Sequence, residues 1–140
     1  MVKMINVFCS KRGSGKTKEL INLANEKAMI GRGHVVYIDD DKGPMCQLNR
    51  EIRFVVTSDF KLRKMESFYG FLCGILSKDY DIDTIFVDGL LNIIDENLEN
   101  VSHLFYNIEK LAEEYNVDFY ISVNEDEGKM PQFIMKYVAA

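Results

Sequence analysis

Ser10-Lys11-Arg12-Gly13-Ser14-Gly15-Lys16-Thr17 follows the short apolar run Met4-Ile5-Asn6-Val7-Phe8-Cys9 and precedes an amphipathic segment that begins near Thr17. The order is strand, glycine-rich loop, helix. Glycines at 13 and 15 let the backbone take conformations closed to other residues and turn successive N–H groups toward an anion. The start of the helix adds unpaired donors and the positive end of its dipole. The spacing is that of G-x-x-x-x-G-K-[ST] with Ser10 in the first glycine's place; in that pattern the lysine reaches the outer phosphates and the hydroxyl ligates Mg²⁺. The residues expected around the phosphates are therefore Ser10, Lys11, Arg12, Gly13, Ser14, Gly15, Lys16, Thr17 and Lys18. Lys16 takes the catalytic role, and Thr17 takes the metal.

Outward from that loop, Leu20, Leu23, Ala24, Ala28 and Met29 recur at helical intervals and predict one apolar face, stopped by Gly31 and Gly33. His34-Val35-Val36-Tyr37-Ile38 has no polar alternation, as in a parallel strand covered on both sides. It runs into Asp39, Asp40 and Asp41, which either face a ligand crevice, with Asp39 as a metal ligand, or form a solvated turn before Gly43-Pro44. Residues 52–57 predict a short strand at a sheet edge. Ser58 or Asp59 is expected to cap a helix with Leu62, Met65, Phe68 or Tyr69, Leu72, Cys73 and Leu76 inward, and Gly70 and Gly74 are expected to let it pack closely.

Asp83-Thr84-Ile85-Phe86-Val87-Asp88 is an apolar strand closed by an aspartate. Downstream of a phosphate loop such a residue holds Mg²⁺, so Asp88 is a candidate for both metal binding and catalysis. Asp95 is expected to cap a helix through about Tyr115, residues 117–123 to form another buried strand, and Pro131 to start a closing helix. The fold expected is α/β: a three-layer sandwich whose mostly parallel sheet of about five strands is flanked by helices, in one domain over residues 1–140.

The 140-residue chain has a net charge of −5 at pH 7, against a broad nucleic-acid-binding face. Cys9, Cys46 and Cys73 form no C-x-x-C pair, so a disulfide framework or zinc knuckle is not expected and a cytoplasmic setting is. No apolar run nears the roughly 20 residues that span a bilayer. The N-terminal run reads as a core strand and not a signal peptide. His34 and His103 lack a second His or Cys at metal-ligand spacing and read as structural or exposed.

The strand, the Ser10–Thr17 loop, the helix and the later strand ending at Asp88 together resemble the P-loop nucleoside-triphosphatase superfamily. The resemblance implies ATP or GTP with Mg²⁺. Lys11 with Asp39 and Asp41 is similar to the partition and septum-site ATPases, although Arg12 departs from the glycine expected there and the long tail is missing. Gly15-Lys16-Thr17 followed by Glu19-Leu20 is similar to the thymidine-kinase branch, without its paired-cysteine zinc lasso. Many ATP-hydrolysing members carry a carboxylate next to the aspartate, where this chain has Gly89. Slow or partner-stimulated hydrolysis is therefore expected, with Glu125 or Asp126 as a substitute base and Asn124 at a base edge. The alternatives are a nucleoside-type small-molecule kinase and a non-enzymatic nucleotide-gated adaptor.

Overall fold

The structure, a computed structural model, describes residues 4–10 and 15–138. Its strands are β1 (Ile5–Ser10), β2 (His34–Asp39), β3 (Arg53–Val56), β4 (Ile82–Asp88) and β5 (Asp118–Asn124). They form one sheet in the order β1-β5-β4-β2-β3, and every pairing is parallel. Parallel neighbours need crossovers, which helices supply. α1 (Lys16–Ile30) joins β1 to β2, a 3-10 turn (Gly43–Gln47) joins β2 to β3, α2 (Met65–Lys78) joins β3 to β4, α3 (Leu90–Ile93) and α4 (Ser102–Tyr115) join β4 to β5, and α5 (Gln132–Met135) follows β5. The α/β class and helix-flanked parallel sheet expected from the sequence are present, and β3 lies at one edge of the sheet, as expected. Beyond β1, Val138 bridges Val7 in parallel.

Alternation along each strand sorts side chains to two faces. Val36, Ile38, Ile85, Val87 and Ile121 pack on one side with Phe68, Leu72 and Leu76 of α2 and Phe105, Ile108 and Ala112 of α4. The other side carries Val35, Tyr37 and Phe86 beneath Leu20, Ile21 and Ala24 of α1. Under α1 one aromatic from each strand joins a stacked row: Phe54 to Tyr37 (centroids 6.0 Å apart), Tyr37 to Phe86 (5.8 Å), Phe86 to Tyr120 (4.9 Å) and Tyr120 to Phe8 (6.3 Å). Offset ring contacts of this kind add to burial.

Several local expectations are corrected. Met29 is 81% exposed; nine residues after Leu20 is about two and a half helical turns, which puts it on the opposite face. Ile21 takes the inward place instead. Ser58 and Asp59 lie in a 3-10 turn, and α2 starts only at Met65, after Lys64, with no side-chain cap. The intervening backbone is held elsewhere, because the Arg63 carbonyl accepts the Asp95 N–H at 2.7 Å. Asp95 does not cap a helix either: α4 begins at Ser102, after Val101, with no side-chain cap. Gly70 and Gly74 face open space, where an added Cβ would meet nothing within 4 Å.

Candidate functional site

Strand register builds the site. Two residues after each of the three central aromatics under α1, a polar side chain points the same way: Asp39 after Tyr37, Asp88 after Phe86 and Ser122 after Tyr120. Asp39 pairs in register with Asp88, and Val87 pairs with Ile121. Three polar residues thus stand side by side at the carboxyl ends of β2, β4 and β5, where open α/β sheets bind ligands. The first turn of α1 lies over them.

Asp88 is the centre of this row and is buried. Its Oδ1 accepts the Ser122 hydroxyl at 2.9 Å and the Thr17 hydroxyl at 3.4 Å, and its Oδ2 accepts the Tyr37 hydroxyl at 2.8 Å. Ser122 is fully buried and also accepts the Gly89 N–H at 2.7 Å. Among the described residues no buried side-chain nitrogen or oxygen is left without a partner. A buried polar group so satisfied is held rigidly, whereas one left unpaired costs stability.

Asp39 is buried beside Asp88, and its Oδ1 accepts the Asp41 N–H at 3.0 Å. Burial, and then the charge of Asp88, push its pKa up to about 9. Two carboxyl groups this close favour keeping one proton between them. The Tyr37 phenol is likewise pushed upward, first by burial and then by Asp88.

Gly15 precedes α1 with φ 91° and ψ 13°, a left-handed conformation that glycine adopts without steric cost. Its carbonyl accepts the Glu19 N–H at 3.1 Å and opens the helix. Lys16 is buried, and its pKa is lowered by burial, opposed by Asp88 and Cys9. Thr17 follows on the exposed side of the turn.

A cavity of about 590 Å³ joins these parts. Gly15, Lys16, Thr17, Asp39, Asp88 and Gly89 line it, with Asp40, Asp41, Gly43, Pro44 and Gln47 from the segment after β2, and Asn92 and Asn124. The sequence-predicted Lys16, Thr17, Asp39 and Asp88 are therefore brought together. Ser10 ends β1, in register with Asn124 of β5. Lys18 is exposed on the first turn of α1. Lys11, Arg12, Gly13 and Ser14 lie outside the described residues. Asn124 lines the cavity, while Glu125 and Asp126 fall just beyond the end of β5.

Sequence reading missed Tyr37, Ser122 and Asn92. Tyr37 and Ser122 each sit in an apolar run that reads as core, and only the register reveals that they meet Asp88. Asn92 lies in a four-residue helix too short for periodicity to detect. The oxygen donors of Thr17 and Asp88 suit Mg²⁺, which prefers hydroxyl, carboxylate and water ligands.

His34, expected to be structural or exposed, is exposed and pairs through Nδ1 with Asp79 Oδ2 at 2.7 Å, far along the strands from this cavity. The three cysteines are free. No helix among the described residues is long and apolar enough to cross a membrane. A scan against protein-family models found no match to this chain, and neither did a search of curated proteins.

Proposed function

We propose that this chain is a P-loop protein that binds ATP or GTP with Mg²⁺ through the Ser10–Thr17 loop and hydrolyses it slowly or on stimulation by a partner. The observation that carries the reading is the meeting of Lys16, Thr17 and Asp88 around one cavity, at the point where a left-handed glycine opens α1. Neither the motif nor the strand-end aspartate alone has this weight. The motif also occurs by chance, and buried strands end in aspartate for many reasons.

In this reading Thr17 and Asp88 hold Mg²⁺, whose charge, when bound, stabilises the phosphate oxygens. Lys16 supplies a fixed positive charge toward the outer phosphates, and the N-terminal amides of α1 add donors. Tyr37 and Ser122 fix both oxygens of Asp88 from behind, so the carboxylate need not reorganise when the ligand arrives. Lys16→Ala tests the assignment: the folded variant should lose most of its affinity for Mg·ATP, and unchanged affinity would refute it.

The cavity also reaches Asp40, Asp41, Pro44 and Gln47, beyond the residues a triphosphate tail needs. This supports a second reading, phosphoryl transfer to a small hydroxyl compound such as a nucleoside. ADP formation that rises with added nucleoside would favour transfer, and formation independent of it would favour hydrolysis.

A further inference from the structure

Gly89, directly after Asp88, has φ 75° and is buried, with its N–H given to Ser122. A Cβ at this position would stand 2.8 Å from Nδ2 of Asn92 and 3.5 Å from its Cγ. No side chain fits after Asp88 while Asn92 keeps its place. The Asn92 carboxamide thus takes the space that such a side chain would enter. The short helix α3 carries it there, its first turn closed by the Asn92 N–H on the Gly89 carbonyl at 2.9 Å. Asn92 lines the same cavity as Lys16, Thr17 and Asp88.

We infer that Asn92 is the group that orients the attacking water in this site, an inference that rests on the nucleotide-binding reading above. A carboxamide offers one acceptor oxygen and two N–H donors, but it does not take up a proton at neutral pH. It can fix a water molecule without activating it. In hydrolysis the water oxygen forms a bond to the terminal phosphorus as the bond from phosphorus to the bridging oxygen breaks. The electron pair leaves with the nucleoside diphosphate, and the water proton passes to a phosphate oxygen. Positioning without a base gives slow turnover and a long-lived triphosphate complex, the property a nucleotide-gated switch requires.

The test uses the full chain with Mg·ATP, comparing wild type, Asn92→Ala and Asn92→Asp by calorimetry and by single-turnover hydrolysis. Asn92→Ala should bind within about twofold of wild type, because the carboxamide acts on water and not on the nucleotide, yet hydrolyse roughly 10-fold or more slowly. Asn92→Asp should hydrolyse faster than Asn92→Ala, with a rate that rises with pH through the carboxylate range where wild type stays flat. If wild-type turnover falls below detection, measurable turnover in Asn92→Asp supports the inference and an equally inert variant overturns it. Asn92→Ala that binds normally and turns over at the wild-type rate overturns this inference alone. Failure of wild type to bind Mg·ATP overturns the nucleotide reading and this inference with it.

Discussion

Thr17 and Asp88 are 71 positions apart, yet the threonine hydroxyl donates to the carboxylate across 3.4 Å, although β5 stands between the strand that leads to Thr17 and the strand that ends at Asp88. A good O–H···O bond is about 2.5–3.0 Å, so this contact is a loose one. Two oxygens held near each other but not tightly bonded are well suited to share a cation. On the proposed nucleotide reading, Thr17→Ala should therefore reduce the gain in ATP affinity expected from Mg²⁺ by about tenfold, while Thr17→Ser retains it. Calorimetry with and without Mg²⁺ measures both, and an undiminished Mg²⁺ effect in Thr17→Ala would exclude the role.

Ser122 is a structural partner of the site. Its loss would leave the buried Gly89 N–H without an acceptor and Asp88 Oδ1 without its closest donor. Ser122→Ala should destabilise the fold by about 1–3 kcal/mol, the usual cost of orphaning a buried polar group. Urea unfolding reads this, and a midpoint unchanged from wild type would contradict it.

Two left-handed glycines separate backbone strain from crowding. Gly15 (φ 91°) has nothing within 4 Å of an added Cβ, whereas at Gly89 (φ 75°) Asn92 stands at 2.8 Å. Gly15→Ala should cost only the backbone penalty of about 1–2 kcal/mol. Gly89→Ala should cost the same backbone penalty and in addition displace the exposed Asn92 carboxamide, so that Asn92→Ala in the same chain should recover any excess over Gly15→Ala. A Gly89→Ala loss that exceeds that of Gly15→Ala and is untouched by Asn92→Ala would rule out the crowding.

Asp39 makes stability depend on pH with a definite sign. Burial and the Asp88 charge raise its pKa to about 9 in the folded chain, against the ordinary 3.8 when unfolded. Between those values the folded state holds more protons, so the stability Asp39 contributes is complete below 3.8 and is lost as pH rises toward 9. Asp39→Asn should flatten that decline and be more stable than wild type at pH 8. Parallel slopes for the two proteins between pH 5 and 8 would argue against a protonated Asp39.

His34 offers an independent check at the other end of the strands. Its hydrogen bond to Asp79, then the charge of Asp79, raise the imidazole pKa above the ordinary 6.5. The pairing therefore helps below that value and fades as pH rises through the raised one. NMR titration should find His34 above 6.5 and Asp79→Asn should bring it back. A titration unaffected by that substitution would deny the pairing.

Much of the fold was legible because its strands are unbroken apolar runs and its loop chemistry is local. β2, β4 and β5 lie within a residue or two of their expected bounds, since a parallel strand buried on both faces has no other reading. Helix starts were less legible. Ser58, Asp59 and Asp95 have capping chemistry, but α2 and α4 start several residues later with no side-chain cap, and the long-range bond from the Asp95 N–H to the Arg63 carbonyl in the segments before them is encoded by no local pattern. Within the site, Lys16, Thr17 and Asp88 could be picked out by residue type and spacing. Tyr37 and Ser122 could not, because their part depends on which strands are neighbours, and the order β1-β5-β4-β2-β3 is a property of the packed sheet.

The most direct measurement is a calorimetric titration of the purified chain with Mg·ATP, Mg·GTP and the same nucleotides without Mg²⁺. A single site that binds at least one triphosphate, more tightly with Mg²⁺ than without, is the predicted result. Absence of binding by both nucleotides to a folded chain, or affinity indifferent to Mg²⁺, would contradict the assignment of Lys16, Thr17 and Asp88 to a polyphosphate site.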